Sequence, residues 1–140
     1  MKKILILAML AIATTTLFAQ QADTTSKQQY LLIFRFKVNF VPPSQQTVQH
    51  NIARWQQYMG GLAQTSALVT GYRPTGTGKT ISGMEKVEKD SVYTANGELI
   101  SSFIIIKANS LVDASAIAKK CPIFEFGGSV EIRPLGQTAQ

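Results

Sequence analysis

Phe34, Phe36, Val38 and Phe40 alternate with Arg35, Lys37 and Asn39 along the stretch from Tyr30 to Val41. A period of two puts the apolar set on one face of a β-strand. Leu31 to Phe34 is apolar on both faces, which suits a central strand covered on both sides. Pro42 and Pro43 end the strand, since neither can donate to a ladder. The spacing then changes. Val48, Ile52, Trp55 and Met59 recur at i, i+4, i+7 and i+11, one face of a helix for which Ser44 is the N-cap. Gly60 and Gly61 are expected to break or kink that helix, and a short apolar piece from Leu62 to Leu68 leads into a turn at Thr70 to Pro74.

Beyond a loop or hairpin edge at 74–83, Glu85 to Tyr93 is charged, with Val87 and Val92 as its only aliphatics, and reads as a partly exposed strand and turn. Asn96 and Gly97 form a tight-turn pair suited to positive φ at both central positions. Leu99 to Ala108 is the second strongly apolar strand, and the unbroken run from Phe103 to Ile106 places it centrally in the sheet. Ser110 caps a second helix whose buried stripe is Leu111, Ala114, Ile117, Ala118 and Cys121, and Pro122 stops it. Val130 and Ile132 alternate with Glu131 and Arg133 in a last strand from Ser129 to Leu135.

This order predicts an α+β fold of the ferredoxin-like plan, two helices on one face of a mostly antiparallel, four- to five-stranded sheet. The other sheet face has no helix to cover it. With strands this apolar, a homodimer packed sheet to sheet is the expected cover.

The amino terminus changes what the remainder means. Lys2 and Lys3 precede ten apolar residues, Ile4 to Ala13, and then Thr14 to Ala19, the n-, h- and c-regions of a signal peptide. Ten residues are half of the about 20 that a membrane-spanning helix needs, so cleavage after Ala19 is expected and no membrane span remains. Residues 1–19 are thus the signal, 20–28 a polar lead-in expected to lack regular structure, and 29–136 the domain. The product is exported, periplasmic or extracellular. Losing Lys2 and Lys3 lowers the formal net charge from +6 by two, to +4. Lys and Arg are scattered, and the pair Lys119 and Lys120 suits a helix C-terminus, so nucleic acid is not an expected partner.

Cys121 and His50 are the sole residues of their kinds, which leaves no His/Cys metal cluster and no internal disulfide. The stretch from Thr75 to Thr80 carries a Gly-Lys-Thr, but Arg73 stands where a phosphate-binding loop needs its first glycine. No cofactor is therefore expected.

Phe103 to Ala108, Asp113 with Ala114, Ala118 to Pro122, and Gly128 to Pro134 together resemble the YCII-related family, in particular its DGPF-type branch. The resemblance runs over about 29–135 and is densest over 103–134. It implies a ferredoxin-like domain that dimerises into an α+β barrel. Aligned back from Phe103 without gaps, the branch's Asp-Gly-Pro-Phe tetrad falls on Asp90, Ser91, Val92 and Tyr93, and a following acidic position falls on Glu98. Ser91 and Val92 replace the Gly-Pro centre, so the turn differs there. Enzyme-like members pair a His near the first helix with an Asp, which makes His50 a candidate partner of Asp90.

Two functions fit these residues. The first is binding of a small molecule in a pocket between the sheet and the first helix, with Arg35, Arg54, Trp55, Tyr58, Tyr93 and Glu98 as candidate ligand contacts, since aromatics and an arginine suit an apolar or anionic ligand. The second is an enzyme of the dimeric α+β barrel type, monooxygenase-, lyase- or isomerase-like, in which Asp90 with Tyr93 or His50 moves protons.

Overall fold

The computed structural model describes residues 27–136, so the expected signal peptide and most of the expected lead-in lie outside the described residues. The chain runs β1 (Gln28–Lys37), α1 (Gln45–Gln64), β2 (Leu68–Tyr72), β3 (Thr80–Ser82), β4 (Val87–Lys89), β5 (Glu98–Ala108), α2 (Leu111–Ala118), a 3-10 turn (Pro122–Phe126) and β6 (Ser129–Pro134). The main sheet is antiparallel in the order β2-β5-β1-β6, and β3 and β4 form a separate hairpin. This is the ferredoxin-like α+β plan.

The two most apolar runs, β1 and β5, are the two inner strands. Tyr30, Leu32 and Phe34 of β1 stand opposite Ile106, Ile104 and Ser102 of β5. Except for half-exposed Ser102, these side chains are buried with Leu62 of α1 and Ala114 and Ala118 of α2 in one core. Both helices therefore cover the same face. On the opposite face Leu31, Ile33, Phe103 and Ile105 stay half-exposed.

Local rules hold at the turns and caps. Ser44 Oγ accepts from the Thr47 N–H and Ser110 Oγ from the Asp113 N–H. Asn96 (φ 54°) and Gly97 (φ 71°) form the expected tight turn, closed by the Ala95–Glu98 hydrogen-bond pair.

Four expectations change. The lead-in ends earlier, because Gln28 already pairs with Ala108. β1 stops at Lys37 instead of reaching Val41. The Val38 N–H donates to Gly97 O and the Phe40 N–H to Lys37 O, so the chain bends and stacks the Phe40 ring on Phe36, centroids 5.5 Å apart. Helix α1 continues through Gly60 and Gly61 to Gln64. The two glycines weaken it by about 1 kcal/mol each, and burial of Leu62 in its last turn outweighs that local preference. Finally, Pro122 does not merely stop α2. It starts the 3-10 turn, which buries Ile123 and ends at Gly127 in a left-handed conformation.

Candidate functional site

The two helices meet the sheet differently. The buried positions of α2 are Ala114 and Ala118, and with side chains this small α2 packs on β5, β1 and β6. By contrast, the backbone of α1 comes close to β2 and the 3-10 turn, and α1 reaches the central strands through larger side chains, with Leu62 in the core and Trp55 against Phe34 of β1. Its predicted stripe is a core stripe only in part, since Trp55 and Met59 pack against the buried cluster. Val48, Trp55 and Met59 are half-buried and Ile52 is exposed.

A polar clamp ties α1 to the 3-10 turn. Asn51, the one buried polar side chain among the described residues, donates its amide to Pro122 O (3.1 Å) and to Glu125 Oε2 (2.8 Å). Arg54 Nε reaches Glu125 Oε1 at 2.8 Å. A buried amide left without its acceptor costs about 1–3 kcal/mol, so these bonds fasten the helix to the 3-10 turn.

Beneath α1 lies a cleft of about 700 Å³. Its walls include Trp55 and Met59 from α1, Phe36 and Phe40 at the end of β1, and Phe126 of the 3-10 turn. Phe40 links the rings: it stacks on Phe36 and lies 5.1 Å from Phe126. Trp55 meets Phe34 edge-on at 5.2 Å. The β2 and β5 side contributes Gly71, Arg73, Ser102 and Ile104. The lining holds no carboxylate, imidazole or thiol.

Of the residues singled out in the sequence, Trp55 lines this cleft. Arg54 and Tyr58 instead line a smaller, more polar hollow of about 490 Å³ between α1 and the end of α2. The Tyr58 hydroxyl donates to Ile117 O (3.3 Å), and burial, with a smaller contribution from Cys121, pushes its pKa above the ordinary tyrosine value. Arg35 points to the helix-free face, where it binds Glu131 at 2.7 Å. Glu131 is also held by Arg133, and these two arginines, Arg133 first, keep its carboxyl below the usual carboxylate range. Glu98 accepts from Ser129 Oγ at 3.1 Å.

Asp90 follows β4 with its side chain 86% exposed, paired to Lys79 at 2.9 Å. Tyr93 is 75% exposed. His50 is exposed on α1, and among the described residues no ion pair joins it to Asp90. The fold thus does not gather these three around the cleft.

Cys121 is buried, and burial pushes its thiol up to about 11. Among the described residues no group of three or more His, Cys, Asp or Glu side chains is placed to hold a metal, and no helix is long and apolar enough to cross a membrane.

Reasoning from the sequence passed over Asn51, Glu125, Arg73 and the ring set of Phe36, Phe40 and Phe126. Asn51 carried a signal, since it interrupts an apolar helix face at i+3 from Val48. Arg73 carried a weaker one, as a cation placed between the end of a strand and a proline.

A family model for the YCII-related domain matches residues 29–137. No curated protein matches the chain.

Proposed function

Because this chain belongs to the YCII-related domain family, whose fold here leaves a cleft under α1, we propose that it binds a small molecule in that cleft. The observation that carries the proposal is the ring-lined cleft itself. Trp55 and Met59 pack against the core on one side and on the other help to wall a volume of about 700 Å³ lined by aromatic rings. A volume of that size suits a small ligand, and apolar wall removed from water is worth about 25 cal/mol per Å². A lining free of carboxylate, imidazole and thiol favours recognition over proton transfer. Asp90, Tyr93 and His50, the residues of the enzymatic alternative, have no position in the cleft that favours it.

Three further parts belong to the same reading. The chain falls in the DGPF-type branch, on the match of Asp90, Tyr93 and Glu98. It dimerises through the helix-free face, where Leu31, Ile33, Phe103 and Ile105 form an apolar strip that a second copy would cover. It is exported and cleaved after Ala19, as the Lys2-Lys3 start and the apolar run that follows support.

Trp55 is the only tryptophan, so its emission reports on the cleft wall. Titration with a panel of neutral and charged one- and two-ring aromatic compounds should give a saturable emission change for some members. Met59→Glu, which puts a charge on the wall, should abolish it. If no member gives a saturable change, or Met59→Glu binds as the parent does, the proposal fails.

A further inference from the structure

Four arginines occur in the chain, Arg35, Arg54, Arg73 and Arg133. Three are bound to glutamates: Arg35 and Arg133 to Glu131, and Arg54 to Glu125. Arg73 forms no ion pair among the described residues, and it is the sole charged side chain in the cleft lining.

Its place follows from the strand register. Gly71 is opposite Ile104 and Tyr72 opposite Phe103. Continuing one step sets Arg73 across from Ser102. Ile104 is buried toward the helices, so Ser102, two residues away along β5, shares that face. Pro74 biases Arg73 toward extended backbone, which prolongs the pleat of β2 past its last paired residue. A guanidinium and a hydroxyl thus stand side by side at one end of the aromatic wall.

Both are uncommitted. Ser101 Oγ donates to Phe34 O and Ser129 Oγ to Glu98, whereas no protein partner engages Ser102 Oγ among the described residues. Gly71 adds no side chain to this face, where a Cβ would stand 2.8 Å from Ile104 Cγ2. No acidic side chain lines the cleft to repel an anion.

We infer that the ligand of the cleft is an aromatic monocarboxylate, its ring against Phe36, Phe40, Trp55 and Phe126 and its carboxylate held by Arg73 and Ser102. The inference rests on the binding proposal above. A planar guanidinium fork matches the two oxygens of a carboxylate, and one cation with one hydroxyl matches a single negative charge. The rings supply the larger share of the binding energy, and the exposed Arg73 supplies the selectivity.

The test compares 2-naphthoate with its neutral analogue 2-naphthalenemethanol, read by Trp55 emission and by calorimetry. Naphthoate should bind the parent at least about fivefold tighter, the scale of one solvent-exposed charge-assisted pair. Arg73→Gln should erase that preference while leaving the neutral compound's Kd unchanged. Ser102→Ala should reduce it in part. Because Arg73 is exposed, raising salt from about 50 to about 500 mM should shrink the parent's preference.

Equal affinities for the two compounds in the parent would overturn the inference and leave the binding proposal standing. So would an Arg73→Gln variant that keeps the preference. If neither compound binds the parent, this inference is overturned, and the wider panel decides the binding proposal.

Discussion

Gly128→Ala should destabilise the protein far more than the gain of one methyl suggests. A Cβ at Gly128 would stand 2.6 Å from Arg35 O, 2.6 Å from Ile123 Cγ1 and 3.1 Å from Ile123 O. Two of these three atoms belong to the backbone, so no rotamer change relieves the clash. Either β6 must separate from β1 at the Arg35–Ser129 pair, or the 3-10 turn must lift off the sheet. Overpacking of this kind costs about 1–3 kcal/mol, and contact with fixed carbonyls puts Gly128 at the upper end. Reduced freedom of the unfolded chain returns about 0.4–1 kcal/mol, for a net loss of about 2 kcal/mol. In a domain of this size that lowers Tm by about 8–10 °C.

Two companion variants separate space from conformation. Gly127 has φ +68°, and a Cβ there would meet nothing within 4 Å, so Gly127→Ala should cost only the left-handed penalty of about 1 kcal/mol. Gly60 lies inside α1 with the same open space around it, so Gly60→Ala should raise stability by about 0.5–1 kcal/mol. Urea and thermal unfolding followed by circular dichroism would rank the three. A Gly128→Ala protein melting within about 2 °C of the parent, or no worse than Gly127→Ala, would refute the reasoning.

Asn51→Ala should cost about 1–3 kcal/mol by leaving Pro122 O without its donor, and it should also weaken naphthoate binding as α1 loses its fastening. Cys121 should resist a thiol reagent at pH 8 in the native protein and react on unfolding. Because its folded pKa is raised, the stability tied to the neutral thiol is present below the unfolded value and is lost as pH rises toward about 11, which a Cys121→Ser control would not show. Light scattering of the mature chain should report twice the chain mass, and Ile33→Lys, on the helix-free face, should return a monomer; a parent that is already monomeric would refute sheet-to-sheet pairing. Amino-terminal sequencing of protein made in its own host should begin at Gln20, and an intact Met1 in the mature fraction would refute cleavage.

Much of this fold can be read residue by residue. The alternation through Phe34 and Phe36, the apolar run from Phe103 to Ile106, the caps at Ser44 and Ser110 and the turn at Asn96-Gly97 each follow from interactions within a few residues. Such short-range preferences act the same way wherever the segment lies. Tertiary structure overruled them where a distant contact was stronger. Burial of Leu62 carried α1 through two glycines, and β1 ended four residues early where the chain turns at Lys37 and Phe40 packs on distant Phe126. The cleft itself was not legible. Val48, Ile52, Trp55 and Met59 have the spacing of a core stripe, and nothing local says whether the sheet lies in contact with it. How α1 sits is decided by contacts more than 70 residues apart, Asn51 and Arg54 with Pro122 and Glu125, and by the alanines of α2 against the larger side chains of α1. Arg73 shows the same division: its charge is plain in the sequence, but its lack of a carboxylate partner and its place beside Ser102 exist only once β2 is laid against β5.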